Sequence, residues 1–449
     1  MKRKKHFKQV LLTFLLFSGL LTSQVNATDG YFALGYGALS KGVAGVGVSY
    51  YHYSLIGGNP AGNVFLGKKI SFGLALFIPL RQYTITGNPS GLPGTFGLIP
   101  GTVSSDSKVF PIPNFGINWV FKEKNAFSIA LYGNGGMNTD YPTQTFFDQS
   151  IKTTGVNLAQ IFTTFSYSRK LGEKHSVGVS AILAFQIFKS EGLTNFGPFS
   201  SDATKLTNRG TDNAFGGGVK IGYMGEIVKG LHIGATYQTK VYMGKFSDYG
   251  GLFAEQGDFD VPATWTAGIG YDVSDKLTFM FDVKQIFYSD INSVGNPIDP
   301  RALPPAFMNP DGSFTPNPNH VGLGEDNGSG FGWDDMTIIK FGVVVKPNED
   351  WTFRGGYSYG KQPIPDSEVV FNILAPGVIE NHLAFGFSKR LGESKKMLNF
   401  SFNYAFNKSV TGFNPFDFDP AQAQQGVFVP NQTIKLEMHQ FDFEVGFSF

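Results

Sequence analysis

Seven histidines, at positions 6, 52, 175, 232, 320, 382 and 439, are scattered through the 449-residue chain, and none sits in a pattern that does catalysis. A lipid hydrolase would need a serine poised beside one of them, and no GxSxG turn occurs. Metal binding would need ligands in pairs, and the sequence has neither HExxH nor a single cysteine. PDGS at 310–313 and GEDNGSG at 324–330 read as turn chemistry rather than calcium loops. The expectation is a protein that is not an enzyme and carries no metal or cofactor. Four cations say more. Counting along alternating segments puts Lys240, Lys284, Lys340 and Arg354 on inward faces, where a charge needs a partner. Each could meet a ligand's carboxylate or that of a neighbouring strand, and Asp282 is the obvious neighbour for Lys284.

The elements that would hold these side chains are strands. Residues 1–27 carry Lys2, Arg3, Lys4, Lys5 and Lys8, an apolar run from Val10 to Leu21, and Val25-Asn26-Ala27, which is the layout of a secretory signal peptide cut after Ala27. The apolar run falls short of the roughly 20 residues that span a bilayer. Its removal takes five of the 36 basic residues and none of the 35 acidic ones, leaving 31 against 35, a net charge of −4. No basic patch remains to suggest nucleic acid. Absence of cysteine excludes disulfides and a lipidated N-terminal cysteine.

Beyond residue 28 no apolar run is long enough for a membrane helix, and the recurring signal is period two. In FGINWVFK, Phe115, Ile117, Trp119 and Phe121 share a face; in VGVSAILAFQIF, Val177, Val179, Ala181, Leu183, Phe185 and Ile187 do. A soluble sandwich would alternate too, but the connections separate the two. Turns of a few polar residues, such as KEKN, LGEK and PNED, alternate strictly with long connections, such as those between Thr86 and Phe110, Lys189 and Asp212, and Asp290 and Trp333. Tight periplasmic turns and long extracellular loops define an outer-membrane barrel. The segments make an all-β, 14-stranded antiparallel transmembrane β-barrel in the outer membrane of a Gram-negative bacterium, with lipid and lipopolysaccharide around it. The terminal HQFDFEVGFSF sets Phe441, Phe443, Val445, Phe447 and Phe449 on one face. Such a face suits lipid, and its final aromatic suits the barrel-insertion machinery.

Residues 28–67 have no counterpart later in the chain. They are rich in glycine, alanine and aromatics, with Asp29 and Lys41 as their only formal charges. Such a segment would not stay solvated as a free tail, and the economical place for it is inside the barrel as an N-terminal hatch, or plug, ahead of the barrel proper at 68–449. It ends on GGNPAG, a turn in which Pro60 biases Asn59 away from helix.

GGNPAG, GATYQTKV followed by VPATWTAGIGYDVSDKLTFMFDVKQIFYSDI, and WDDMTIIKFGVVVKPNEDWTFRGGYSYGKQPIPD together resemble the FadL/TodX-type outer-membrane transporters of long-chain fatty acids or aromatic hydrocarbons. The resemblance covers essentially the whole mature chain. It implies a monomeric barrel closed by the hatch, capture of a hydrophobic small molecule among extracellular loops, an internal pocket, and a sideways exit where the third strand is kinked, with no energy-coupling partner. Here the third strand is AFSIALYGNGGMNTDYP, whose alternation fails at Gly133, Asn134, Gly135 and Gly136; glycines inside a strand mark a bulge or kink. Asn59, Pro60 and Ala61 are expected to seat the hatch against that strand. Leu193, Phe196, Phe199, Phe246, Leu252 and Phe253 in two long loops are the expected capture groove, the plain alternative being that they pack on each other. The rival to a hydrophobic-compound transporter is a general diffusion porin for small polar solutes.

Overall fold

The computed structural model describes residues 29–51, 54–309, 312–392, 396–423, 427 and 429–449. The expected signal peptide lies outside the described residues. Among them, fourteen antiparallel strands close a barrel: β1 (Lys69–Thr86), β2 (Phe110–Phe121), β3 (Asn125–Asn138), β4 (Gly155–Lys170), β5 (His175–Glu191), β6 (Asp212–Val228), β7 (Leu231–Gln238), β8 (Thr264–Ser274), β9 (Leu277–Ile286), β10 (Met336–Val345), β11 (Trp351–Gly360), β12 (Asn381–Arg390), β13 (Met397–Phe413) and β14 (Thr433–Ser448). Each strand pairs with its chain neighbour, and β14 returns to β1 from Ser71 opposite Ser448 to Thr86 opposite Thr433. Closure leaves no free sheet edge at the seam, which a membrane requires.

Alternation sets the faces. In β1, Phe72, Leu74 and Leu76 are exposed toward lipid while Gly73, Ala75 and Phe77 are buried inward. In β14, Phe443 and Val445 are exposed while Asp442 and Glu444 are buried. Phe72 also packs on Phe447 and Phe449 across the seam, with ring centroids 5.5 and 5.8 Å away. Here the expected lipid face is the observed one.

The wall is interrupted at one place that matters. β1 pairs with β2 over the whole of 110–118, from Phe77 opposite Phe110 to Lys69 opposite Asn118. β2 in turn pairs with β3 only from Phe115 opposite Leu131 to Phe121 opposite Asn125. Residues 110–114 and 132–138 therefore run without a shared ladder. On its other side β3 stays paired to β4 through Asn138, with a register shift between Gly133 and Gly135 that makes Asn134 the extra residue of a bulge. Apolar side chains fill the space beside the interruption: Ala75, Phe77, Phe110 and Ile112 cluster with Ala159 of β4.

Residues 29–51 and 54–67 pack against the inward wall. Among these described residues lie a short helix, α1 (Gly37–Lys41), and a 3-10 turn at Pro60–Phe65. Val43, Val46 and Tyr50 are buried with Met280 of β9 and Val344 of β10. A Cβ on Gly356 of β11 would stand 2.2 Å from the Val43 carbonyl carbon, so glycine there lets the two backbones touch.

Candidate functional site

The Asn59-Pro60-Ala61 turn has its seat on β5 and β6. Asn59 caps the 3-10 turn by accepting from the Ala61 amide at 3.0 Å, with Pro60 in the first position where no amide is needed. Its Nδ2 donates to the carbonyls of Val48 at 2.8 Å and Tyr223 at 2.9 Å. Ser176 donates to the Ala61 carbonyl at 2.7 Å. Two glycines admit the turn: a Cβ on Gly222 would stand 2.0 Å from Asn59 Oδ1, and one on Gly178 would stand 2.4 Å from the Pro60 carbonyl carbon. The expected seat of this motif against the kinked third strand is thus corrected, because its hydrogen bonds and its close approaches lie on β5 and β6. Asn59→Ala removes the cap and both carbonyl contacts at a cost of about 2 kcal/mol. Hydrogen exchange should report this as amide protection at 61–66 falling by more than about tenfold while that of the wall strands holds.

What meets the kink is the start of the segment. The Ala33 amide donates to the Asn134 carbonyl at 3.0 Å, the Gly136 amide donates to the Tyr31 carbonyl at 2.9 Å, and Phe32 bridges Gly135 as a strand partner. Gly135 permits this, since a Cβ there would stand 2.0 Å from the Tyr31 oxygen. Tyr36 donates to Asn134 Oδ1 at 2.9 Å. A short length of the N-terminal segment thus takes up the β3 backbone around the bulge, where β2 is not paired.

An ionic clamp holds that end. Asp29 Oδ2 accepts from Lys284 at 3.0 Å and from Lys340 at 3.1 Å, and Lys340 also donates to the Leu34 carbonyl at 2.9 Å. Tyr288 donates its hydroxyl to the Asp29 carbonyl. The expected partner of Lys284, Asp282, is corrected by this: its Oδ2 accepts instead from the amides of Gly47 at 2.7 Å and Val48 at 3.0 Å. Arg354 donates to Ser388 at 2.7 Å on the lumen side. Lys240 departs from its expected place on an inward wall face. It follows the end of β7, with its side chain a third exposed, and pairs with Asp260 at 3.1 Å. Nearby in the same loop, burial followed by the charges of Asp260 and Glu255 pushes the Asp258 carboxyl up to about 6. A second clamp joins Lys41 of α1 to Asp442 at 2.8 Å and Glu444 at 3.2 Å on β14.

The loop residues come together, Leu193, Phe196, Phe246 and Phe253 buried and Phe199 and Leu252 half-buried. Leu193, Phe196, Leu252 and Phe253 line one narrow apolar cavity of about 40 Å³, with Phe188, Phe331 and Phe371 around them. Phe199 lies 6.4 Å from Phe196, and Phe246 packs on Phe253 at 6.1 Å. Leu193, Phe196, Phe246 and Phe253 are all less than 5% exposed. These side chains thus pack on one another, the plain alternative of the sequence reading, and the loops fold back over one another. Asp148 ties two of them. Burial acts to raise its carboxyl, but hydrogen bonds from Ser150, Thr194 and Asn208 outweigh it and hold the group well below the usual range. From the cavity a chain of rings leads inward, Phe253 to Phe259 at 4.8 Å and Phe259 to Tyr31 at 6.2 Å, and so to the kink.

Sequence reasoning missed Asp29 and Lys41 as clamps, along with Tyr288 and Trp333, whose rings pack on Tyr31 at 5.1 and 5.9 Å. The signal that could have found the first two is their isolation: they are the only charges in a segment that has to be buried.

The chain matches the family described as outer membrane protein transport protein (OMPP1/FadL/TodX) over residues 37–425. No curated protein sequence matches it. Among solved structures, the toluene transporter TodX of Pseudomonas putida is similar with a TM-score of 0.62 at 18% identity, over 92% of this chain and 98% of that one. A FadL homologue of Pseudomonas aeruginosa gives 0.64 at 13% identity, over 94% and 99%. The toluene transporter TbuX of Ralstonia pickettii gives 0.57 at 15% identity, over 92% and 98%. Identities this low speak for a shared barrel fold; the family match over most of the length speaks for membership. The chain is an outer-membrane transport protein, not an enzyme, and belongs to the OMPP1/FadL/TodX family.

Proposed function

We propose that this protein carries hydrophobic small molecules, aromatic hydrocarbons or fatty acids, across the outer membrane by diffusion and releases them sideways into the bilayer between β2 and β3. The observation that carries the reading is the interrupted β2–β3 ladder, filled by apolar side chains and met from inside by residues 31–36. A hydrocarbon returned to water loses about 0.8 kcal/mol of favourable burial per CH₂. A route from lumen to lipid avoids that step. The aromatic loop cavity takes up the molecule, and the rings of Phe253, Phe259 and Tyr31 mark its way to the gap.

In this reading residues 1–27 are a leader removed on export, 28–67 are a hatch, and 68–449 are the barrel. The barrel works as a monomer, is inserted through its terminal Phe449, and meets lipopolysaccharide at its outer rim. The toluene transporters among its structural neighbours favour hydrocarbons as first substrates to try. A general porin would need an open lumen, and here the hatch packs across from β5 and β6 to β14.

Planar-bilayer conductance and whole-cell uptake test the reading together. Intact protein should pass little ion current, and cells carrying it should take up labelled toluene at low concentration. Replacing Leu252 and Phe253 by serine should cut that uptake by about tenfold or more, since each side chain contributes about 1.5–3 kcal/mol of apolar burial. Large steady currents from the intact protein, or uptake unchanged by the double substitution, would overturn it.

A further inference from the structure

The gap between β2 and β3 has two edges, and each is finished in its own way. On the β3 edge the hatch supplies partners: the Ala33 amide donates to the Asn134 carbonyl and the Gly136 amide donates to the Tyr31 carbonyl. On the β2 edge the chain reads Phe110-Pro111-Ile112-Pro113-Asn114.

The register shows which way the backbone groups of β2 point. Ile70 and Phe449 exchange both of their backbone hydrogen bonds at 2.9 Å, so the even residues of β1 face β14 and the odd ones face β2. The Arg81 carbonyl agrees, since it accepts from the Ser105 amide on the β2 side at 2.9 Å. Gly73, Ala75 and Phe77 of β1 lie opposite Asn114, Ile112 and Phe110. The even residues of β2 are therefore the ones that bond β1, and residues 111 and 113 turn their backbone groups the other way, into the gap. Both are proline. Where an amide would have reached into the opening there is none. From Phe115 on, where the ladder with β3 begins, β2 holds no further proline.

An unpaired amide in a hydrocarbon layer is costly, and an ordinary strand edge would escape that cost by zipping to its neighbour. With Phe115 opposite Leu131, the continued register would set Pro113 opposite Gly133, and the pair would carry one hydrogen bond instead of two. An amide at 113 would reach Gly133, and one at 111 would compete with Ala33 for the β3 backbone beyond it. The prolines weaken that pairing rather than forbid it, and the bulge at Asn134 is the second obstacle. Alternation sets both rings on the outward side, between the buried Phe110, Ile112 and Asn114. A departing molecule thus meets carbonyls and proline rings on β2, with no amide left to be paired again once it has passed.

Building on the transport reading above, we propose that Pro111 and Pro113 are positioning residues of the exit: by removing the two donors that would zip β2 to β3, they hold the side gap open and leave the β3 bulge to the hatch.

The double substitution Pro111→Val with Pro113→Val restores both donors and places side chains that suit a lipid-facing strand. Hydrogen exchange on the purified, full-length protein, its folding checked by heat-modifiable gel mobility, reads the ladder. The new amides at 111 and 113 should exchange as slowly as those of Phe115 and Ile117, which already face β3, while protection of the Ala33 amide falls by about tenfold. Uptake of labelled toluene by whole cells should fall by about tenfold, and by less in either single substitution. New amides that exchange at least about tenfold faster than those of Phe115 and Ile117, with Ala33 as protected as before, would overturn the proposal. Closure of the ladder with uptake unchanged would support the role of the prolines and sink the sideways route instead.

Discussion

Deleting Asn134 should abolish hydrocarbon uptake while leaving a folded barrel. Asn134 is the extra residue between Gly133 and Gly135 where the β3–β4 register slips. Without it β3 can run on in step, so that residues beyond Leu131 come to lie opposite 110–114 of β2 and complete the ladder. The deletion also removes the Tyr36 and Ala33 contacts to Asn134. With the wall sealed, a toluene-sized molecule can leave only toward water, which forfeits about 5 kcal/mol of burial. Uptake should then fall to that of cells lacking the protein. Continued uptake at the original rate, with gel mobility showing a folded barrel, would mean that cargo leaves elsewhere.

The second large effect is expected from Asp29→Asn. Lys284 and Lys340 both reach the same Oδ2, so neutralising it leaves two buried ammonium groups facing each other. Removing one partner from a buried ionic cluster typically costs about 3–5 kcal/mol. That strain falls on the attachment of residues 29–36 to the kink rather than on the barrel, whose strands are paired all the way round. The expected result is a frequently open hatch, seen as a marked rise in bilayer conductance and in protease cleavage near residue 36. Adding Lys340→Met takes away one of the two facing charges and should return conductance most of the way toward the original. A single variant with silent bilayers and an intact N-terminus would show that the clamp does not hold the hatch.

The wall was legible in the sequence because strand faces are a local property. Phe443 and Val445 point to lipid and Asp442 and Glu444 inward by alternation alone, and the order of short and long connections gave the strand number. The bulge was legible too, from Gly133, Gly135 and Gly136, although only the family resemblance made it an exit rather than a strand end. What stayed hidden were contacts between residues remote in the chain. Asp29 meets Lys284 across 255 positions and Lys41 meets Asp442 across 401, and no spacing rule reaches that far. Asp282 was the nearer choice for Lys284, yet two backbone amides at Gly47 and Val48 took it. The Asn59 turn went to β5 and β6 for a similar reason. Its seat is made by Gly178 and Gly222, two glycines that look ordinary in sequence and matter only because a backbone arrives on top of them. The loop aromatics could be named but not their burial, which depends on how several loops fold over one another.

Sideways release is the central claim, and photolabelling tests it most directly. Cells or proteoliposomes holding the intact protein would be loaded with a diazirine-bearing toluene analogue, illuminated, and the labelled peptides identified by mass spectrometry. The expected labels fall on Phe110, Ile112 and Ala159 around the interruption, and disappear from them when Asn134 is deleted. Labels concentrated instead at the periplasmic mouth, on Tyr51, Leu66 and Met224, with none at the β2–β3 gap, would contradict it.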